Sequence, residues 1–558
     1  MPKKILVSCL SVALLLLPAF ACTTMIVGKD ASKDGSVIVA HSDDDELLDQ
    51  RIVRVPAMDH KPGANRPVYY DPACFGGSNI RYVGSSRGPG YEDPALPPTE
   101  PIGYIDQVPH TYAYFDGNYA IMNEHQLVFG ECTNGAKFQP QPEKGKRIFY
   151  SAELSRVAAE RCTTAREAIA LMGKLIEEYG YYGTGETLLV GDPKEAWVFE
   201  MCAVPGRTAG LWVAKRVPDD HYFVAANEFR IREVDPNDPD MMFAKDIFET
   251  TQKLGWWQPS DGKLDWLKTV SQGEYNHPYY SLRRVWRAFS RVRPSANFSP
   301  WVENGFTRAY PFSVKPDKKL SASDVMTLYR DHYEGTEFDQ TKGLSSGPFG
   351  TPDRYFGPYE KGTGGTDVSS PDRKMLGAWE RPISVYYAGY TFVNQARGWL
   401  PDAIGGICWF GPDKAAETVF VPFYAGMTDL PKSFQTGRTD KFDRQTAWWA
   451  FNFVSNWANL KYSYMSQDIR ARQKELEDKE FAAMAKTDEE AARLYKKDPQ
   501  QARAYLTKYS IDNADHAVAG WWDLADTLIA KYSDGYVNQP KIGEEVGYPR
   551  WWLDKVGY

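Results

Sequence analysis

Cys22-Thr23-Thr24-Met25-Ile26-Val27-Gly28 is followed, after a short polar interval, by Asp34-Gly35-Ser36 and then Val37-Ile38-Val39-Ala40. Two runs of β-branched and apolar residues flank a turn signal, so the stretch predicts a β-hairpin that starts one residue after a cysteine. Upstream, Lys3 and Lys4 precede an apolar run from Ile5 to Leu17, Pro18 breaks it, and Ala19-Phe20-Ala21 has the small-x-small form of a cleavage site. The apolar run is shorter than the roughly 20 residues that span a bilayer. The expectation is a signal peptide over residues 1–21, with Cys22 the first residue of a periplasmic or secreted protein that has no membrane span.

A cysteine in that position has a specific chemistry open to it. Cleavage frees an α-amine with a reference pKa of about 7.7–8.0, close enough to neutrality to accept a proton. The thiolate is the nucleophilic form of cysteine, and a free α-amine can generate it without a separate histidine. Two other uses of the residue compete. A lipoprotein also begins at cysteine, which would consume both groups, although Ala19 stands where leucine is usual three residues before the modified cysteine. An ordinary buried or disulfide-bonded cysteine is the third reading, and position alone leaves the three level.

Outward from the hairpin, residues 60–110 are dense in Pro, Gly, Tyr and Asp and read as a long surface loop. Tyr119–Met122 and Leu127–Phe129 read as strands about the turn Asn123–Gln126. Ser151 to Tyr179 has helical periodicity, broken at Cys162-Thr163-Thr164, which predicts two helices with a threonine capping the second. Strands are expected at Leu188–Val190, Ala196–Phe199, His221–Ala225 and Ile383–Tyr390, and a pair at Ile407–Phe410 and Val419–Val421. From Phe442 to Leu476 and from Asp488 to Tyr532 the texture is helical. The division is therefore residues 1–21, a catalytic body over 22–440 and a C-terminal helical region over 441–558.

Composition excludes several classes. With 558 residues, 43% of them hydrophobic, the chain has ample material for a core. Its net charge of −8 and lack of Lys/Arg-rich runs argue against nucleic acid as a partner. Of seven cysteines, Cys9 falls in the leader, and Cys22, Cys74, Cys132, Cys162, Cys202 and Cys408 contain no C-x-x-C pair. An exported chain can form disulfides. If Cys22 stays reduced, five cysteines remain and at least one is unpaired. Eight histidines are scattered without H-E-x-x-H, so neither a metal nor another cofactor is expected. His125 and His332 read as structural.

The opening, with Ala40-His41-Ser42-Asp43-Asp44, resembles that of the dipeptidase A type cysteine peptidases, which are N-terminal-nucleophile hydrolases; His41 stands where arginine is common in that family. The resemblance continues in Met122-Asn123-Glu124-His125, Gly130-Glu131, Glu195-Ala196-Trp197 and Ala226-Asn227-Glu228-Phe229-Arg230-Ile231. Asp331-His332-Tyr333-Glu334-Gly335-Thr336 and Pro422-Phe423-Tyr424-Ala425-Gly426 extend it. It implies an α+β fold, an αββα sandwich of two antiparallel sheets between helices, and hydrolysis of dipeptides. It also implies roles: Cys22 as nucleophile, Asp44 holding the Cys22 amine or thiol, Asn227 donating to the oxyanion, and Asp43, Glu131 and Arg283 binding substrate. Each has a plainer alternative. Asp43 and Asp44 belong to the acidic run ending at Glu46, which is the pattern of a solvated face. Asn227 suits a turn. Arg283 stands beside Arg284 in an arginine-rich helical segment, and the choice between them stays open. An N-acyl amidase with the same nucleophile and a lipid-anchored binding protein remain as rivals, and oligomerisation is open.

Overall fold

The computed structural model describes residues 22–45, 49–71, 81–273, 279–355 and 381–557. The hairpin forms as the sequence implies. Thr23–Val27 and Val37–Asp43 pair antiparallel, Met25 opposite Ala40, and every residue of both strands is buried. Its turn side is fixed by Asp34, whose Oδ1 accepts from the Ser36 amide and hydroxyl at 3.1 and 2.6 Å, while Gly35 takes φ +87°, where a side chain would be strained.

The hairpin lies inside a seven-stranded antiparallel sheet. In order across it run Ser313–Val314, Tyr222–Ala225, Thr23–Val27, Val37–Asp43, Tyr390–Ala396, Gly406–Pro412 and Val421–Tyr424. A second, eight-stranded antiparallel sheet runs Met241–Phe243, Leu211–Val217, Ala196–Cys202, Gly185–Gly191, Val128–Asn134, Ala120–Asn123, Tyr114–Asp116 and Val53–Val55. The sheets face each other through Thr23–Val27 and Val37–Asp43 on one side and Val128–Asn134 on the other. Gly130 permits this approach: a Cβ there would sit 2.6 Å from Thr24 Oγ1 and 3.3 Å from Val39 Cγ1.

Helices Ser151–Arg161 and Ala165–Tyr179 pack on the eight-stranded sheet. The break between them is the expected one: Thr164 caps the second helix, taking the Glu167 amide while the Glu167 carboxylate returns to the Thr164 amide. Leu282–Val292 and Ala322–Tyr329 pack on the seven-stranded sheet, as do Ala447–Ala458, Tyr462–Lys497 and Pro499–Lys531 nearer its Val421–Tyr424 edge. The protein is thus a mixed helix-and-sheet, α+β fold.

Two local expectations need correction. The strand placed at Ile383–Tyr390 begins instead at Tyr390 and runs to Ala396; Ile383–Gly389 is turns, and Gly389 closes against the Asp43 carbonyl. Within 60–110, Asn65–Tyr69 pairs with Pro101–Asp106, so the Pro/Gly density hides a two-stranded ladder. Among the described residues Cys22, Cys132, Cys162, Cys202 and Cys408 are all buried and unbridged; Cys74 lies outside them. No helix among the described residues is long and apolar enough to cross a membrane.

Candidate active site

Cys22 sits at the head of the Thr23–Val27 strand, 2% exposed, at the seam between the two sheets. The backbone around it is fixed from several directions. Arg284, on helix Leu282–Val292, gives Nη1 to the Cys22 carbonyl at 2.8 Å and to Thr23 Oγ1 at 3.0 Å. Its Nη2 reaches the Ala226 carbonyl at 3.1 Å and Asn227 Oδ1 at 2.7 Å. The Cys132 thiol also faces the Cys22 carbonyl, at 3.5 Å, and Tyr329 Oη donates to the Thr23 carbonyl at 3.0 Å.

Asn227 adopts φ +64°, in the left-handed region that asparagine tolerates better than most residues. Its amide plane is pinned at both ends, Oδ1 by Arg284 and Nδ2 by the Thr133 carbonyl at 2.7 Å. Its backbone amide points at Cys132 Sγ, 2.7 Å away. Asn227 therefore belongs to the Cys22 network rather than to a surface turn.

Carboxyl groups crowd the thiol. Asp43, at the end of the second hairpin strand, takes Asn118 Nδ2 at 2.6 Å and interacts with the Tyr390 hydroxyl. Asp44 pairs with Arg381 in an ion pair whose two side chains are both fully buried. Glu131 and Glu186 come from adjacent strands; the Glu131–Thr133 alternation and the Thr133↔Glu186 register put them on one face. Thr133 Oγ1 donates to Glu131 at 3.0 Å, and Tyr150 donates to Glu186. A small cavity lined by Tyr69, Asp71, Asn118, Tyr150 and Tyr182 adjoins this cluster.

The electrostatics follow from burial. Loss of water raises the Cys22 thiol well above its usual value, and the charges of Glu131, Asp43 and Asp44 push it further. Burial likewise lifts Asp43, against the bonds from Asn118 and Tyr390. It lifts Asp44 against the opposing pull of Arg381 and Arg284. Glu186 is raised by burial and then by Glu131. With the Cys22 nitrogen tied up in a peptide bond, burial and the neighbouring carboxyl groups both favour the protonated thiol.

His41, on the hairpin's second strand, is buried among Tyr119, Tyr390 and Phe392, and burial drops its pKa to about 3. Its Nδ1 lies 2.8 Å from the Glu131 carbonyl. One ligand atom each from Cys22, His41 and Asp43 lie within 4.8 Å of one another, a grouping of donors able to hold a metal ion. The histidines read as structural are elsewhere engaged: His125 with Asp402 at 3.2 Å and His332 with Glu334 at 3.2 Å.

Of the residues singled out from the sequence, Cys22, Asp43, Asp44, Glu131 and Asn227 come together. Of the two arginines left open, Arg283 stacks its guanidinium on Phe338, Tyr279 and Trp301 and donates to the Pro300 carbonyl, while Arg284 holds Cys22. Sequence reasoning missed Arg381, Glu186, Cys132 and Tyr329. A signal existed for Glu186, a lone acid inside the apolar run Gly185–Gly191, and for Cys132, beside Glu131 on one strand. Arg381 carries none.

Fold and site define an α+β protein whose candidate nucleophile is a buried thiol at the head of a central strand. A family model for peptidase family C69 matches residues 21–71 and 113–475, and the chain belongs to that family; it is a peptidase. Curated relatives include a probable dipeptidase from Latilactobacillus sakei, 24% identical over 515 residues that cover 92% of this chain and 95% of the relative. A probable dipeptidase from Salmonella dublin is 27% identical over 415 residues, 73% of this chain and 81% of the relative. A probable dipeptidase B from Streptococcus pyogenes serotype M1 is 22% identical over 509 residues, 89% and 90% respectively. Among solved structures, penicillin V acylase from Agrobacterium tumefaciens aligns with 73% of this chain and 87% of its own at 11% identity and a TM-score of 0.28, a likeness too slight to argue from.

Proposed function

We propose that the protein is an exported cysteine dipeptidase, cut after Ala21, in which Cys22 supplies both nucleophile and base. The observation that carries this reading is the setting of Cys22: a peptidase-family thiol at a strand head, its carbonyl fixed by Arg284 and its sulfur among Asp43, Asp44 and Glu131. Cleavage would place an ammonium among carboxyls that burial has left short of positive charge, which lowers the cost of ionising them and the thiol. Two facing antiparallel sheets with helices packed on their outer sides support the αββα N-terminal-nucleophile sandwich. The catalytic body is assigned to 22–440 and the C-terminal helical region to 441–558.

In the proposed cycle the Cys22 thiolate attacks the scissile carbonyl. Asn227, its amide plane fixed by Arg284 and Thr133, donates to the oxyanion; such a preorganised donor is worth about 10²–10³ in rate. The α-amine passes its proton to the leaving amine, a thioester to Cys22 remains, and the amine then activates water against it. Asp44, locked to Arg381, is the positioning residue for the Cys22 amine. Asp43 and Glu131 favour a substrate whose own ammonium lies next to the attacked carbonyl. A dipeptide has that group and an N-acyl amino acid lacks it, so the buried acids favour the dipeptidase over the amidase. A lipid anchor needs the Cys22 sulfur at a surface, whereas it is buried.

The test is a panel of dipeptides and matching N-acyl amino acids, assayed with processed wild-type protein and with Cys22→Ser. Dipeptide turnover that Cys22→Ser abolishes is the expected result. Preference for the N-acyl substrates, or full turnover in the serine variant, would overturn the reading.

A further inference from the structure

The ring orientation of His41 has no place in the cycle above. Its Nδ1 is 2.8 Å from the Glu131 carbonyl oxygen and 3.4 Å from the Glu131 amide nitrogen, so the nearer partner is an acceptor and the ring proton belongs on Nδ1. That leaves a bare lone pair on Nε2. This nitrogen is fully buried, in a side chain 1% exposed, and has no hydrogen-bond partner among the described residues. A buried acceptor without a partner is costly and calls for an explanation. A donor atom from the same ring lies within 4.8 Å of the Cys22 thiol and of a carboxylate oxygen of Asp43.

We propose that Cys22 Sγ, His41 Nε2 and an Asp43 oxygen form a binding site for a thiophilic divalent cation of the zinc class, and that occupancy switches the enzyme off. Thiolate, imidazole and carboxylate are the donor types zinc takes, and three protein ligands with one open position is a common arrangement for it. The second shell is of the kind that orients metal-binding histidines, with the far ring nitrogen donating to a backbone carbonyl.

Charge balances as well. The metal–sulfur bond forms as the thiol proton leaves to solvent, any proton on the Asp43 carboxyl leaves with it, and the dication is neutralised by two anionic ligands. Because the metal takes the sulfur lone pair, the nucleophile is lost while it is bound. Inhibition thus rests on Cys22 being the nucleophile; binding does not.

Co²⁺ and Zn²⁺ are the probes. Co²⁺ titrated into the protein processed after Ala21 should give a thiolate-to-cobalt charge-transfer band with a stoichiometry of one, absent in Cys22→Ser. Calorimetric Zn²⁺ affinity should fall more than about tenfold in His41→Gln, at least the scale on which outer-shell changes act. Zn²⁺ should inhibit dipeptide hydrolysis competitively and reversibly by EDTA. No charge-transfer band in the wild type, or an undiminished Zn²⁺ affinity in a folded His41→Gln, overturns the site. Should His41→Gln not fold, zinc-edge absorption of the wild type decides: one sulfur with nitrogen and oxygen neighbours supports the site, and a shell of sulfur alone or of nitrogen and oxygen alone overturns it. A His41-dependent band in a protein that hydrolyses no dipeptide supports the metal site while overturning the proposed function, so the two failures are distinguishable.

Discussion

Arg284 touches more of the site than any other side chain described above. Five of its contacts, to Cys22, Thr23, Ala226, Asn227 and Tyr280, converge from three chain segments, and all are buried. Removing its charge leaves those acceptors unpaired, so Arg284→Met should lower kcat by at least about 10²-fold, through loss of both oxyanion geometry and Cys22 positioning. It should also cost about 1–3 kcal/mol of stability for the buried acceptors left unsatisfied. Arg283→Met, which leaves an aromatic cage without its cation, should reduce the melting temperature yet keep kcat within about tenfold of wild type. Steady-state kinetics and calorimetry on the two variants decide which arginine faces the site; equal kcat losses would show that neither reading is right. The difficulty was inherent in the sequence. Two adjacent helical arginines differ by about 100° in direction, and although both are buried, only the packed helix says which one reaches Cys22. Cys22 stood out because a cleavage site read just ahead of it would give its position a chemical meaning. Asp44 gains its partner from Arg381, 337 residues away, and no spacing rule reaches that far.

Strands were legible where apolar alternation or runs met a turn signal, and this serves the hairpin well. It fails at Ile383–Tyr390, where β-branched and aromatic residues are spent on turns and the ladder starts only once Gly389 has closed on the Asp43 carbonyl. Sheet-to-sheet packing, equally hidden from the sequence, has its own test. Gly130→Ala puts a Cβ against Thr24 Oγ1, and overpacking of this kind costs about 1–3 kcal/mol, readable as a lower denaturant midpoint. A second element-level effect is pH-dependent. Glu200, on Ala196–Cys202, receives the amides of Arg230 and Ile231, yet burial outweighs those bonds and raises its pKa to about 8. Unfolded, it titrates near 4.3. Between the two values the native state binds the extra proton, so stability falls as pH rises through that window. Glu200→Gln keeps the accepting oxygen and removes the titration. Its melting temperature relative to wild type should rise from pH 5 to pH 8, and a parallel pH profile for the two proteins would contradict the assignment.

At the scale of the whole molecule, the proposed function turns on one covalent event, cleavage after Ala21. In the uncut chain the Cys22 nitrogen is an amide, and the core around it holds Asp43, Asp44, Glu131 and Glu186 against Arg284 and Arg381. Cutting after Ala21 would exchange that amide for an ammonium inside the cluster, and a hydrogen bond to a charged group is worth about 1.5–3 kcal/mol. The processed protein should therefore melt a few degrees above a chain that retains Met1–Ala21, a rise expected to disappear when its new amine is acetylated. Activity should move with the same variable, because an amide nitrogen cannot take the thiol proton or return one to the leaving amine. A preparation cut to different extents should show dipeptide turnover proportional to the fraction of free N-terminal Cys22 measured by intact mass. Calorimetry on the same samples should show a higher-melting population growing in step. If turnover persists undiminished in the uncut chain, the α-amine is not the base, and a neighbouring side chain must be sought for that role even if Cys22 remains the nucleophile.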